Sequence, residues 1–223
     1  MSRFRVGIDI GGTFTDIVFL NSEGRLFTKK VPSSVDNYAR AIVEGMAEVF
    51  DEASITPKDI RELRHGTTVA SNAILELKGA RVGLITSAGF RDVLEIRTLR
   101  MPRLYDLAWE KPPSLVERYL RQVVDERINA NGVIERRPQR SEVEQVVRRL
   151  LDEKVEAIAI CLINAYANPD NERFVEQIVK EMAPDLPLCI SADVLPEMKE
   201  YERTSTTVIN AYVLPVVGTY LTA

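Results

Sequence analysis

The sequence predicts an α/β protein built on a mixed sheet, in which an antiparallel meander and parallel strands are flanked by helices. Residues 4–32 contain three apolar strand patterns separated by turn signals. Residues 141–190 instead alternate between helical and strand patterns. Strands joined by tight turns pair antiparallel, whereas strands separated by helices pair in parallel through right-handed crossovers. The order β-β-β, a long inserted α/β region, and then α-β-α-β-α therefore predicts both kinds of pairing.

The first strand pattern, residues 4–10, runs into the turn Gly11-Gly12-Thr13. Glycine accepts positive φ angles and leaves no Cβ in the way of a ligand. Backbone N–H groups and the hydroxyls of Thr13 and Thr15 can point at an anion, and Asp9 can hold a hydrated Mg²⁺ beside it. We interpret this stretch as one half of a nucleotide-phosphate site. A tight hairpin whose glycines serve geometry alone is the alternative.

Strand 26–31 is expected to complete the meander, and residues 37–53 form an amphipathic helix with Asp36 as its N-cap. Residues 57–62 are interpreted as a connector.

A second strand–glycine–helix unit follows, in which Leu63-Arg64-His65 leads into Gly66-Thr67-Thr68 and a helix that ends near Gly79, placed as a C′ cap. Thr67 or Thr68 can cap this helix and leave its N-terminal N–H groups free for an anion, although an ordinary threonine cap fits the local sequence as well. His65 is either a structural histidine or, at a strand end beside a glycine turn, a functional one.

Residues 88–116 are irregular and locally basic. Arg97, Arg100 and Arg103 form either a solvated surface, since nearby carboxylates offset their charge, or a contact with an anionic substrate or a partner subunit.

The second half has a clearer pattern. Ser141 and Glu144 have the spacing of a capping box, which predicts a helix over 141–153. Residues 155–163 are nearly all apolar, as in a central strand covered on both faces, and are followed by an asparagine-rich loop. The remaining elements are a helix at 170–182, a strand at 188–190 and a last helix at 205–221 that Pro215 should kink or end.

Composition excludes several classes of protein. The formal charge of −4 in 223 residues argues against nucleic-acid binding. The sequence shows neither the pattern of a signal peptide nor an apolar run long enough to span a membrane. Cys161 and Cys189 lie far apart, each in an apolar run. We therefore expect both to be buried thiols of a protein in a reducing, cytoplasmic compartment. The single histidine, His65, argues against a histidine-rich metal centre.

Four motifs in order give the chain a resemblance to the N-terminal region of the hydantoinase A / 5-oxoprolinase family. They are Gly7-Ile-Asp-Ile-Gly-Gly-Thr-Phe-Thr-Asp16, His65-Gly-Thr-Thr-Val-Ala-Ser-Asn72, Gly89-Phe-Arg-Asp-Val-Leu94 and Glu200-Tyr-Glu-Arg-Thr-Ser-Thr-Thr207. The resemblance covers almost the whole chain. It implies the ribonuclease-H-like core of the actin/Hsp70/sugar-kinase ATPases, although the second and fourth motifs do not resemble those of the sugar kinases.

The resemblance also implies an activity, namely ATP-driven phosphorylation of a carbonyl or amide oxygen during hydrolysis of a cyclic amide such as a hydantoin or 5-oxoproline. ATP and Mg²⁺ are the implied cofactors. Gly11, Gly12, Thr13 and Thr15 would hold the phosphates and Asp9 would orient the hydrated Mg²⁺. The implied catalytic residues are His65, Thr67 and Thr68 on the substrate side and Glu202 and Arg203 near the cleft.

Two other functions are compatible with the same resemblance: a subunit of an ATP-dependent acetone or acetophenone carboxylase, and a non-catalytic module of the same fold. The implied partners are a hydantoinase B-like subunit or domain and, in the complete protein, an oligomer. The family's chains are longer, and their ATP lies between two lobes. We therefore expect residues 1–223 to form a first lobe, inactive alone, with a core at about 1–35 and 140–223 and an insertion at about 36–139.

Overall fold

The computed structural model describes residues 3–34, 38–98, 105–106 and 108–222. The predicted cap Asp36 and the basic residues Arg100 and Arg103 lie outside these ranges. The chain divides into two compact units, Met1–Lys78 with Val216–Ala223, and Gly79–Pro215. We describe each unit by itself.

The first unit is a four-stranded mixed sheet with the order β3-β2-β1-β4. Strands β1 to β3 form the predicted antiparallel meander, and β4 pairs in parallel with β1. Helix α1 connects β3 to β4. A meander followed by a helix and a strand parallel to β1 is the arrangement expected of a ribonuclease-H-like core. The elements are β1 (Phe4–Ile10), β2 (Phe14–Asn21), β3 (Leu26–Pro32), α1 (Tyr38–Ala53), β4 (Ile60–Thr67) and α2 (Val69–Leu75).

Alternation along β1 builds the core of this unit. Phe4, Val6, Ile8 and Ile10 are buried, while the residues between them are exposed. The ring of Phe19 on β2 meets Phe50 of α1 edge-on with 5.8 Å between the ring centroids. One face of the sheet is therefore covered by α1, and the opposite face carries Asp9.

The second unit contains a four-stranded parallel sheet with the order β10-β9-β5-β6. Every residue of β5 and β9 is buried, because helices cover both faces of a parallel sheet. The elements are β5 (Val82–Ser87), α3 (Val93–Ile96), β6 (Arg121–Val124), β7 (Arg127–Ile128), β8 (Ile134–Arg136), α4 (Arg140–Asp152), β9 (Ala157–Cys161), α5 (Asp170–Met182), β10 (Leu188–Ile190), α6 (Ser191–Val194) and α7 (Glu200–Thr222).

The predicted fold class is confirmed, since antiparallel and parallel pairing are both present and helices flank the sheets. The sequence predicted that the meander and the later parallel strands join in one sheet. That prediction is wrong, because β5, β9 and β10 lie with β6 in a second sheet. The parallel strand beside β1 is β4, whose first residues fall in the segment interpreted as a connector. The boundaries of the two compact units differ from those of the predicted core and insertion. The assignment of the chain as the first lobe of a two-lobed protein stays a prediction.

Helix ends differ from the predicted ones where backbone groups take over the capping. Helix α4 begins at Arg140, because the Gln139 carbonyl accepts hydrogen bonds from the N–H groups of Glu142 and Val143, and Ser141 lies inside the helix. Helix α7 begins at Glu200 and continues through Pro215 to Thr222. Among the described residues, we find no helix with the length and apolarity that a membrane span requires.

Gly79 is not a C′ cap. The left-handed residue after α2 is Leu77, with φ of 54°. A Cβ at Gly79 would lie 2.1 Å from the ring of Tyr212, so glycine is needed here for the close approach of α7.

Candidate nucleotide-phosphate site

The Gly11-Gly12-Thr13 turn is tightly closed. The N–H of Gly11 donates to the carbonyl oxygen of Phe14 at 3.0 Å. A Cβ on Gly11 would lie 3.0 Å from that same oxygen, and a Cβ on Gly12 would lie 3.0 Å from the Asn72 side-chain amide. Gly12 and Thr13 are exposed, and no described residue accepts a hydrogen bond from their N–H groups. The turn thus presents backbone donors to solvent. A side chain at Gly11 would crowd the backbone, and one at Gly12 would require the Asn72 side chain to shift.

Hydroxyl groups fasten the turn from beneath. Ser33 Oγ donates to the carbonyl oxygen of Gly11 at 2.8 Å, and the N–H of Ser33 donates to that of Thr13 at 2.9 Å. Thr15 Oγ1 lies 2.9 Å from Ser33 Oγ and donates to it, because the Ser33 proton is already engaged. Thr15 is fully buried. The structure therefore places Thr15 with the supports of the turn and not with its exposed donors.

Asp9 stands on the exposed face of the sheet between two neighbouring strands. Its register partners are Asp16 on β2 and Gly66 on β4, and its Oδ1 lies 4.0 Å from where a Cβ of Gly66 would be. Asp16 is paired with Lys30, whose Nζ is 3.1 Å away. Both Asp9 and Asp16 line a cavity of about 380 Å³. Of these two carboxylates, Asp9 is the one that has no ion pair with a basic side chain among the described residues.

The residues around Asp9 fit a Mg²⁺ ion that keeps most of its water. Such an ion is commonly bound through one or two carboxylates, with waters and phosphate oxygens completing the octahedron. Asp9 and Asp16 supply carboxylates on one face of the sheet. No cluster of three or more His, Cys, Asp or Glu side chains that could hold a metal occurs in the described part of the chain.

The second glycine–threonine motif meets the first. The N–H of Thr68 donates to the carbonyl oxygen of Ile10 at 3.2 Å, which ties the start of α2 to the end of β1. Asn72 Nδ2 donates to Thr68 Oγ1 at 3.1 Å and also lies against Gly12. The predicted free N–H groups at this helix are only partly present, because Thr67 Oγ1 accepts from the N–H of Val69.

His65 faces away from Asp9. Its register partner on β1 is Ile8, whose side chain points into the core, and the side chains of consecutive strand residues point to opposite faces. The imidazole meets the ring of Tyr220 edge-on at 5.9 Å. By this register the exposed His65 side chain lies on the other face of the sheet from Asp9, although both residues border the same cavity.

Glu202 and Arg203 lie in the second unit, at the start of α7. Glu202 lines a groove of that unit. Arg203 is 1% exposed, with its guanidinium carbon 5.6 Å from the centroid of the Tyr166 ring, and its Nε and Nη1 have no hydrogen-bond partner in the described structure. Arg203 is therefore a buried cation with a structural position. In this conformation it cannot touch a substrate that enters from solvent.

A buried carboxylate, which the sequence pattern does not single out, lies near Arg203. Glu172 accepts hydrogen bonds from Ser191 Oγ and from the N–H groups of Leu162 and Ala192. Burial raises the pKa of Glu172, and these hydrogen bonds and the charge of Arg203 oppose that rise. Burial also raises the pKa of the Cys161 thiol to about 11. Cys161 and Cys189 are both buried, as the apolar runs around them predict.

The sequence pattern did not identify Ser33 or Asn72. Ser33 lies in a stretch, Pro32-Ser33-Ser34, that reads only as the end of a strand, and Asn72 lies within a helical pattern. The one available signal is that Asn72 closes the His65–Asn72 motif, with its side chain one helical turn after Thr68. Both residues reach the turn through tertiary contacts.

Residues 5–183 match a family described as "Hydantoinase/oxoprolinase N-terminal region". An uncharacterized protein of Methanocaldococcus jannaschii is 39% identical over 222 residues, which cover 98% of this chain and 32% of that protein. The alpha subunit of caprolactamase from Pseudomonas jessenii is 35% identical over 225 residues, with the same two coverages. This chain thus spans about a third of the length of these relatives.

Two solved structures also match this chain over about a third of their own length. The ATP-dependent caprolactamase of Pseudomonas jessenii superposes with a TM-score of 0.88 over 98% of this chain and 32% of its own. Nucleotide-free acetone carboxylase superposes with a TM-score of 0.90 at 26% identity, over 100% of this chain and 34% of its own. With the family match over most of its residues and the turn geometry above, the chain belongs to the hydantoinase/oxoprolinase family, whose N-terminal region it matches.

Proposed function

We propose that this chain is the N-terminal lobe of an ATP-dependent hydrolase of cyclic amides, in which phosphorylation of a carbonyl oxygen activates the ring for opening. The observation that carries the proposal is the closed Gly11-Gly12-Thr13 turn, with exposed N–H donors, beside the carboxylate of Asp9. A related protein with this region is an ATP-dependent caprolactamase, which supports both the nucleotide and the substrate class.

Each residue of the turn has a role that its geometry supports. The N–H groups of Gly12 and Thr13 and the Thr13 hydroxyl donate hydrogen bonds to phosphate oxygens, and the two glycines keep that approach open. Asp9 would hold a hydrated Mg²⁺, which would neutralise charge on the phosphates. Phosphoryl transfer depends mainly on positioning and charge neutralisation, and these are the contributions that the turn and Asp9 can make.

The other predicted residues contribute differently in this proposal. Thr68 lies on the nucleotide side, where its hydroxyl and Asn72 brace Gly12. Thr15 supports the turn through Ser33. Thr67 and His65 in the first unit and Glu202 in the second are each retained as candidates for the substrate side, with His65 acting from the face opposite Asp9. The buried Arg203 would act only through its neighbours and not by touching the substrate. In this proposal the chain is the first of two lobes, and a second lobe completes the ATP site.

The proposal is tested by replacing Asp9 in a protein that carries this region together with the remaining length of its relatives. We expect Asp9→Asn to lower the rate of lactam-stimulated ATP hydrolysis by about 100-fold or more, since a metal-binding carboxylate is lost where phosphoryl charge develops. The measurement is phosphate release with hydantoin, 5-oxoproline and caprolactam as substrates.

Asp51→Asn, on the exposed surface of α1, is the matched control and should leave the rate unchanged. Circular dichroism establishes that both variants fold. If Asp9→Asn turns over ATP at the parental rate, the chain is instead a non-catalytic module of the same fold. If no cyclic amide stimulates ATP hydrolysis, the hydrolase assignment is wrong.

A ketone carboxylase is the second candidate, because acetone carboxylase matches the whole of this chain with a TM-score of 0.90. It requires bicarbonate-dependent consumption of acetone or acetophenone, which a cyclic amide hydrolase does not show. In either case we propose a hydantoinase B-like partner subunit or domain, an oligomeric complete protein and a cytoplasmic location. The relatives support the partner, since one of them is an alpha subunit.

A further inference from the structure

The side chain of Asn72 lies beside the Gly11-Gly12-Thr13 turn, and the proposed function uses it only as a brace. Its Nδ2 donates to Thr68 Oγ1 at 3.1 Å. A Cβ at Gly12 would lie 3.0 Å from the same nitrogen. Asn72 is also only half-buried, so solvent reaches it. The amide therefore borders α2 and the turn at once, at a place that a ligand can approach.

The hydroxyl of Thr68 fixes which end of the Asn72 amide faces the turn. A hydroxyl has a single proton to donate. The Thr68 hydroxyl donates its proton to the carbonyl oxygen of Ile10, 3.5 Å away, so its oxygen is an acceptor towards Asn72. The group of Asn72 that meets it is therefore the NH₂ and not the carbonyl. The nitrogen of the amide accordingly lies against Gly12.

The Asn72 amide has an unused donor at this place. An amide NH₂ carries two protons, and Thr68 Oγ1 accepts one of them. No residue in the described ranges accepts the other. The N–H groups of Gly12 and Thr13 also lack an acceptor in that part of the chain. Three neighbouring N–H donors thus point to one ligand with several acceptor oxygens.

The distances allow one phosphate group to accept from Asn72 and from the turn together. Two bonds of about 1.5 Å separate the Cβ position of Gly12 from its nitrogen, so Asn72 Nδ2 lies within about 6 Å of that nitrogen. One oxygen that accepts two N–H···O bonds of about 2.9 Å already spans donors up to about 5.8 Å apart. A phosphate group, with several oxygens, spans more.

We infer that Asn72 is a further phosphate-binding residue, whose second Nδ2 proton is donated to the phosphate group that also accepts from the N–H of Gly12. This inference rests on the proposed function, since it takes the turn to be a phosphate site. It gives the motif His65–Asn72 a part in that site through its last residue. It also gives a reason for glycine at position 12, because a Cβ there would displace the Asn72 amide.

The test is a nuclear magnetic resonance titration of the 223-residue chain with magnesium tripolyphosphate. The two Nδ2 protons of Asn72 give separate signals, which are assigned by their loss in Asn72→Leu. One of them should shift with the same midpoint as the N–H of Gly12. Adenosine, which has no phosphate, should shift neither. The side-chain amide of Asn129, which is already paired with Glu135 in the second unit, should not respond to tripolyphosphate.

Three variants separate binding by Asn72 from bracing by Asn72. Asn72→Leu should weaken tripolyphosphate binding by about tenfold or more, because a hydrogen bond to a charged group is lost. Thr68→Val removes the brace but keeps the donor, and should weaken binding by about threefold at most. Ser71→Ala, at an exposed neighbouring position on α2, is the matched control and should leave binding unchanged.

The inference is overturned if the N–H signals of Gly12 and Thr13 shift while both Nδ2 protons of Asn72 stay in place; the phosphate turn would then stand without Asn72. It is also overturned if Thr68→Val weakens binding as much as Asn72→Leu, since Asn72 would then act as a brace alone. If no signal of the turn or of Asn72 responds, the inference and the phosphate site both fail. A lack of ATP hydrolysis with cyclic amides would remove the proposed reaction and leave phosphate binding by Asn72 to be decided by this titration.

Discussion

At the scale of single residues, strand alternation decides which side chains can act together. Asp9 and His65 both lie near strand ends beside glycines. From the sequence, we interpret Asp9 as the residue that orients Mg²⁺ and His65 as either structural or functional. Their strands are adjacent in parallel register, but His65 pairs with Ile8 and so shares the core-facing side of β1. Asp9 pairs with Gly66, which leaves space over its carboxylate.

Thr15→Val tests whether the buried hydroxyl supports the turn. The variant keeps the shape of the side chain and removes one buried hydrogen bond to Ser33, so the free energy of unfolding should fall by about 1–2 kcal/mol. Urea unfolding measures this change. Thr28→Val, at an exposed position on β3, should alter stability by less than about 0.5 kcal/mol.

The same variant also distinguishes support from direct phosphate contact. If Thr15 bound phosphate itself, nucleotide affinity would fall sharply while stability stayed near that of the Thr28→Val control. Such a result would contradict the hydrogen-bond network described for Ser33.

Residue types at the turn could be predicted because they are local. Gly11, Gly12, Thr13 and Asp9 form one stretch whose composition favours anion binding. Ser33 and Asn72 could not be found in the same way, since their roles depend on the pairing of β2 with β3 and on the docking of α2. The burial of Arg203 likewise depends on the packing of Tyr166 and Glu172, which lie far from it in sequence.

At the scale of elements, periodicity located strands and helices well but not their partners. The continuous apolar run of β9 predicts a central strand, and all five residues of that strand are buried. The register of β4 was not predictable from its pattern, because its exposed and apolar residues do not alternate clearly and, among the described strands, it pairs with β1 alone.

Gly79→Ala and Gly218→Ala should have opposite effects on stability. A Cβ at Gly79 would overlap the Tyr212 ring at 2.1 Å, so repacking should cost about 1–3 kcal/mol. No atom lies within 4 Å of a Cβ at Gly218, which is inside α7, so alanine there should stabilise by about 0.5–1 kcal/mol. Thermal unfolding of both variants checks the signs.

A double variant identifies Tyr212 as the cause. When Tyr212→Leu is combined with Gly79→Ala, the loss should be smaller than the sum of the single losses, because the overlapping ring is gone. Strict additivity would show that Gly79 is needed for another reason.

At the scale of the whole molecule, the fold class followed from the sequence, but the division of the meander and the later parallel strands between separate sheets did not. The order of elements distinguishes antiparallel from parallel pairing, but it does not state how many sheets the strands form. Here the meander and β4 make one sheet, β5, β6, β9 and β10 make a second, and β7 pairs with β8 in a separate two-stranded sheet. That division places the candidate phosphate turn in one compact unit and the groove lined by Glu202 in the other.

The last prediction concerns how much of an ATP site these residues provide. Charge-assisted hydrogen bonds contribute about 1.5–3 kcal/mol each, and association costs at least about 4 kcal/mol in lost freedom. The N–H groups of Gly12 and Thr13 with the Thr13 hydroxyl therefore support only millimolar or weaker binding. We expect the 223-residue chain to bind Mg-ATP in that range and to show no lactam-stimulated hydrolysis.

Amide resonances of Gly12 and Thr13, followed during titration with Mg-ATP, measure this binding at its source. Their shifts should saturate only at millimolar or higher concentrations and should shrink in Asp9→Asn, where the metal-binding carboxylate is lost. Micromolar affinity or lactam-stimulated turnover by the chain alone would contradict the two-lobed site, because the donors described on this turn are too few to account for either.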